Sequence, residues 1–455
     1  MKGIMKSSRS IMALLVAALP MAALAAESDV AELKEDIRIL EQKVQKRESQ
    51  PVTVNVLAIR MTKDSGSEVE DRAAMNDQQE AAARVGNLIM DPKYTGFIQI
   101  PNTEVIMKFN AKPHLDLTMD SGNAGDKYRF VPAKIPVEGD PTEGGGGQFN
   151  INANGSQLRW DVRAPNLPGS PRFYYQNDFF GQSGADMKYR LQHLYGSVYN
   201  IVGGFTYGVF ENPDAWPDTV DYEGPNAVNF ARRPLVHYKM SINQNWNATF
   251  GVEKPDIYVD TTGDDTATLD TPIPDLGANL RWESSGLGHM QFSAIVRSIG
   301  VNSPTFGDDN VPGWGLNAGG SFNLTAHDTL LGLVNYGEGI GGMGNDASFV
   351  NSDAAFNSNG ELEALPYWSG LLAVTHKWNE KWRSTATYGY VNLDNTDAQS
   401  GDAYHATSYV SANVVCQLRK QLTVGLEGLY GDKETKDGAE GDVFRFQLGF
   451  VYSIF

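Results

Sequence analysis

The chain has 455 residues with 55 acids against 37 bases, a formal charge of −18 that argues against nucleic acid as a partner. Its one cysteine, Cys416, excludes an intrachain disulfide. Mean hydropathy is negative, and no apolar run of about 18 residues follows the N-terminal stretch, which excludes a membrane-crossing helix there.

Residues 1–25 read as an export signal. Lys2, Lys6 and Arg9 form its charged start, Ile11 to Pro20 its apolar run, and Ala23-Leu24-Ala25 its cleavage site. Residues 26–50 predict a short coiled-coil helix. Val30, Leu33, Ile37, Leu40 and Val44 recur at alternating spacings of three and four, and Ser28 and Asp29 can cap it. The seam is short, so it predicts an oligomerisation stalk steadied by a larger assembly. Its residue types alone favour two strands. Residues 51–93 form a polar linker, with helix expected within Ser67–Val85.

Residues 94–455 follow a different rule. From Val105 to Asp120 the odd positions are apolar and all even positions but Ile106 are polar, the period of a strand with one apolar and one wet face. Pro113 predicts a bend. Similar rows recur to the C-terminus, such as Met290-Phe292-Ala294-Val296 and Phe444-Phe446-Leu448-Phe450. They predict about 16 strands. The connections alternate between short turns, such as Asn379–Lys381 and Arg419–Gln421, and long loops. That asymmetry, with tryptophans in the apolar phase, predicts an all-β fold: a transmembrane antiparallel β-barrel.

The long loops are 211–229, 255–274, 300–313, 338–366, 394–404 and 433–442. They carry 24 acids against two bases, Lys433 and Lys436, so the acidity of the chain lies in them. The loop 211–229 reads ENPDAWPDTVDYEGPNAVN. Its three prolines rule out a long helix or strand, and it is expected to fold into the barrel mouth as a constriction. Its acids, Glu211, Asp214, Asp218, Asp221 and Glu223, would face bases across the lumen, with Asp218 and Asp221 the expected lumen-facing pair. On the wall the wet phase carries more bases than acids. Lys108, Lys112, Arg159, Arg163, Arg281, Arg297, Arg383 and Arg445 are the expected pore-lining bases, and rings of such groups favour anions.

Several stretches resemble one family. PDAWPDTVDYEGPNA at Pro213–Ala227 followed by ARRPLVHY, GFIQIPNTEV at Gly96–Val105, RFYYQNDFFG ending at Gly181 and RLQHLYGSV at Arg190–Val198 are similar to the DcaP-like trimeric porins of Gram-negative outer membranes. The resemblance implies a homotrimer of barrels with inward-folded loops and a periplasmic coiled coil. It also implies contact with outer-membrane lipid and lipopolysaccharide, and passage of small anionic solutes such as dicarboxylates. No cofactor or metal site is expected, although Asp264, Asp265 and Asp270 could bind divalent cations. The alternatives are a barrel lipase or protease using His193, His237 or His405, and a structural tether to the cell wall.

Overall fold

The computed structural model describes residues 84–85, 88–89, 93–182 and 184–454. The export signal, the expected coiled coil and most of the linker lie outside the described residues.

Two short strands, β1 (Arg84–Val85) and β2 (Leu88–Ile89), pair antiparallel ahead of the main sheet. That sheet begins with β3 (Ile98–Gln99), β4 (Ile106–Lys112), β5 (His114–Asp120), β6 (Gln148–Asn152), β7 (Gln157–Arg163), β8 (Arg172–Asp178), β9 (Arg190–Val198), β10 (Ile201–Tyr207), β11 (Arg232–Ser241) and β12 (Trp246–Glu253). A small parallel-antiparallel sheet is started by β13 (Val259–Asp260). The main ladder resumes with β14 (Thr268–Asp270), β15 (Asp275–Ser284), β16 (Gly288–Ser303), β17 (Gly307–Asn323) and β18 (Asp328–Glu338). The small sheet is completed by β19 (Ala354–Phe356) and β20 (Leu362–Ala364). The ladder ends with β21 (Pro366–Lys377), β22 (Trp382–Leu393), β23 (Tyr404–Gln417), β24 (Leu422–Thr435) and β25 (Glu440–Tyr452). It then returns on itself, because β25 pairs with β5 from Arg445↔Asp120 to Val451↔His114, closing the barrel.

The twenty ladder segments exceed the expected sixteen for local reasons. Pro113 has no N–H to donate, so one stave is interrupted between β4 and β5. Residues 153–156 interrupt the next between β6 and β7. The segments β3 and β14 are short additions at the rim, pairing with β4 and β16. Two expected loops are instead strand. The hairpin of β16 and β17 continues out to Ser303↔Gly307, and that of β24 and β25 to Glu434↔Glu440.

The alternation sets two faces. Leu115, Met119, Phe292, Val296, Leu372, Val374, Leu426 and Phe446 are exposed on the outer face, as are Trp160, Trp368, Trp378 and Trp382. Asp116, Asp120, Gln291, Ser293, Asn413, Glu427 and Gln447, on the other phase of the same ladder, are buried. An apolar exterior over a polar interior inverts the pattern of a soluble protein and suits a wall bathed in hydrocarbon. The staves differ in height. Strands β8 and β10 have 7 residues and β12 has 8, whereas β16 has 16 and β17 has 17.

The apolar core sits inside the barrel. Phe210, Val228, Ile340 and Met343 from the loops pack with Ile295, Leu333, Tyr367, Val391 and Leu393 of the wall. A second cluster joins Val259, Phe356 and Leu362 of the small sheet to Ile299 and Val301 of β16. Dry packing therefore fills part of the barrel interior next to β16–β23.

Candidate functional site

The segment between β10 and β11 is bound to the inner wall along its length. Asn212 Nδ2 donates to the Gly319 carbonyl at 3.1 Å. A single 3-10 turn, Pro213–Ala215, follows, in which proline's fixed φ favours the tight backbone. Asp214 then pairs with Arg281 at 2.7 Å and Asp218 with Arg383. Glu427 Oε2 accepts from the backbone N–H groups of Val220 and Asp221 at 2.9 and 2.7 Å. At Gly224 the chain turns with φ +77°, a conformation that glycine adopts without strain, and its N–H donates to Asp221 Oδ2 at 3.0 Å. Asn226 and Asn229 carry the return to Thr407 and Asn335.

Tyr222 fastens the tip to the far side. Its hydroxyl donates to Asp178 Oδ2 at 3.0 Å and accepts from Gln157 Nε2 and Gln192 Nε2 at 2.5 and 2.7 Å. Its ring stacks on Phe180 with centroids 4.9 Å apart. Burial and the Asp178 carboxylate push the phenol above its usual range. One loop therefore touches staves on opposite sides of the barrel. Trp216 packs against Tyr207 and Phe230 at 5.2 Å each.

Two further loops brace it. Phe130 N–H donates to Asp221 Oδ1, and Arg129 pairs with Glu223 at 3.4 Å. Asn345 Nδ2 donates to the carbonyls of Glu223 and Pro225, at 3.1 Å each. The loop 121–147, which carries Arg129, was not among the long loops expected. Its glycines at 122, 125, 139 and 144–147 and its prolines at 132, 136 and 141 were the available signal.

The expected pore-lining bases divide into three groups. Lys108, Lys112 and Arg159 lie on the lumen phase of β4 and β7, and among the described residues no carboxylate comes within ion-pair distance of them. Arg159 donates to Gln157 Oε1. Arg163, Arg281 and Arg383 also point inward but are paired, with Asp161, Asp214 and Asp218. Arg297 and Arg445 are buried and do not line the pore. Arg297 sits between Asp275 and Asp353, at 3.4 and 3.2 Å. Arg445 makes a fork with Asp120 at 2.6 and 2.8 Å and reaches the Asp126 carbonyl. Both lie on the predicted face, but folded loops roof them.

The loop acids are corrected in the same way. Glu211, Asp221 and Glu223 are buried, and Asp221 serves its own loop rather than the lumen. Burial pushes its carboxyl well above the ordinary range. Asp214 and Asp218 are the exposed ones. Between loop residues Pro217–Tyr222 and the wall lies a chamber of about 370 Å³, lined among others by Lys112, His114, Asp218, Arg383 and Lys420.

The enzyme candidates are dispersed. His193 shares a hydrogen bond with Thr206 at 2.9 Å, and His405 donates to the Leu393 carbonyl at 2.8 Å. Neither contact places a carboxylate behind the imidazole. Asp264 is occupied by Ser303, Thr305 and Thr266 as the cap of a turn.

The outer membrane channel DcaP of Acinetobacter baumannii shares this fold. It has 20% identity and a TM-score of 0.68, over 77% of this chain and 97% of that one. An anion-selective porin from Comamonas acidovorans matches at 11% identity and TM-score 0.49, over 77% of this chain and all of the other. OprB of Pseudomonas putida matches at 9% and 0.49, over 76% and 94%. A search of curated protein sequences gave no match. The profile of the DcaP outer membrane protein family matches residues 100–454. With that match spanning most of the sequence, the chain belongs to the DcaP outer membrane protein family.

Proposed function

We propose that this protein is an outer-membrane porin passing small hydrophilic solutes by diffusion, with preference for anions such as dicarboxylates. One observation carries the preference. Among the described residues, Lys108, Lys112 and Arg159 form a basic panel with no ion pair of their own, because the nearby acids Asp161 and Asp218 are paired with Arg163 and Arg172 and with Arg383, and Asp214 of the facing loop with Arg281. A solute anion passing the panel finds uncompensated charge, and a cation finds little. In this reading loop 211–229 is the constriction. The ladder's twenty segments act as sixteen staves, with β4 joined to β5, β6 joined to β7, and β3 and β14 at the rim. The test is the reversal potential in a planar bilayer under a salt gradient. The expected sign is anion selectivity that weakens as salt rises and screens the panel. Cation preference at low salt would overturn it. Replacing Lys108, Lys112 and Arg159 together by Gln should move the reversal potential toward zero.

The family resemblance also motivates a homotrimer, with the N-terminal helix in the periplasm. Deleting residues 26–50 should leave a heat-modifiable barrel in detergent, because the barrel closes through pairings among its own strands, β3 to β25. Loss of the folded band would make the helix a folding element instead.

A further inference from the structure

The root of the constriction loop is set in a buried cluster with more acid than base. Arg233 of β11 faces Glu211 of the loop at 3.8 Å, Glu253 of β12 at 3.4 Å and Asp275 of β15 at 3.0 Å. Arg297 of β16 shares Asp275 and adds Asp353 of the 339–365 loop. Asp256 approaches from the segment after β12, adding acid and no base. Two guanidinium groups thus serve four carboxylates, whose side chains are all fully buried. The excess is concentrated at one point. Glu253 Oε1 accepts from Val209 N–H at 2.8 Å, but Glu253 Oε2 and both oxygens of Glu211 accept no hydrogen bond. The backbone N–H groups of Glu211 and Ala231 turn toward the Glu211 carboxylate without closing on it. The two carboxyl groups converge over Gly208, where an added Cβ would meet Glu253 Oε2 at 2.3 Å and Glu211 Oε2 at 2.7 Å.

Two converging carboxylates in a water-excluded site with one shared guanidinium cannot both stay ionised cheaply. We propose that Glu211 holds a proton in this site beside Glu253, and that this proton is a latch holding the root of the constriction loop to the wall, released at alkaline pH. The burial of Glu211 raises its carboxyl above the ordinary range, the direction a held proton requires. When the proton leaves, repulsion between the two groups is relieved only by moving Glu211, since Glu253 is fixed within the β12 ladder. The backbone from Gly208 onward, including Asn212 and Asp214, then loses its seat.

The proposal rests on the constriction reading for its effect on current, but not for its effect on stability, and the test separates them. The sign follows from linkage. A carboxyl raised in the folded state contributes stability that is present at low pH and lost as pH rises through its folded value. The full-length protein in detergent should therefore melt at lower temperature at about pH 9 than at about pH 6. Glu211→Gln, which keeps a neutral side chain of the same shape, should lose that component, and Glu253→Gln, which removes the neighbouring carboxyl, should reduce it. In planar bilayers the wild type should show severalfold more open-channel current noise at the higher pH, and Glu211→Gln should stay quiet at both. If the wild-type melting temperature is the same at both pH values, or Glu211→Gln keeps the full slope, the proton held by Glu211 is refuted. If the slope behaves as expected but the noise does not change with pH, the proton stands and its role as a latch on the constriction is refuted.

Discussion

Removing Pro213–Pro225 and bridging the gap with a short Gly-Ser linker should raise single-channel conductance by about threefold, with strand content unchanged. The segment takes with it the Asp214 and Asp218 contacts to the wall and the Tyr222 knot on Asp178. It contributes no residue to the barrel ladder, so the wall stands without it. The electrostatic consequence has a definite sign. Four acids leave, and Arg129, Arg281 and Arg383 lose carboxylate partners, so anion preference should rise. Discrimination among dicarboxylates should fall, because a wide lumen no longer holds a solute close to Lys112 and Arg159. Unchanged conductance would show that the narrowest point lies elsewhere. A narrower probe of the same geometry is Tyr222→Phe, which removes the hydroxyl from Asp178, Gln157 and Gln192 but keeps the stacking on Phe180.

Arg445→Met should cost about 3–5 kcal/mol of barrel stability, the range for breaking a buried pair from one side. The guanidinium is fully buried and lies on the seam where β25 meets β5, the last ladder closed. Its loss leaves the buried Asp120 carboxyl without its guanidinium partner, and leaves the Asp126 carbonyl without that donor. Arg445→Lys keeps the charge but not the fork, and should cost less. Urea unfolding in detergent, read by the shift in gel mobility, measures both. A Met variant as stable as wild type would mean that the pair with Asp120 does not hold the seam. No change in ion selectivity is expected from either substitution, since Arg445 does not reach the lumen.

That contrast shows how far the sequence could be read. Alternation identifies a face, and it placed Arg445 and Arg297 on the inner one correctly. Depth beneath a loop is a tertiary property with no period, and so both residues were read as pore lining. The same limit separates Asp218 from Asp221. They lie three residues apart on one loop, and Phe130, about ninety residues away, donates its N–H to the Asp221 carboxyl and so holds it away from the lumen. The loop itself was legible, because three prolines, five acids and two aromatic residues cannot be strand. Its partners Asp178 and Glu427 lie on the wet phase of β8 and β24, and nothing local marks them as its acceptors. The interruptions of the wall carried local signals. Pro113 announced its own bend, and the turn dipeptide Asn154-Gly155 was the corresponding signal for the break at 153–156.

The unequal heights of the staves bear on the surrounding bilayer. Seven residues rising about 3.4 Å each at a tilt of roughly 45° reach only about 17 Å, short of the 25 Å or so of apolar band that outer-membrane barrels present. The sixteen residues of β16 exceed it. On the β8–β12 side the hydrocarbon must thin to meet the wall, at fractions of a kcal/mol per Å, while on the β16 side it need not. The deformation is confined to one arc of the circumference. Two barrels that meet along that arc remove the thinned lipid between them, so membrane elasticity alone favours one rotational orientation for encounters before any side chain touches.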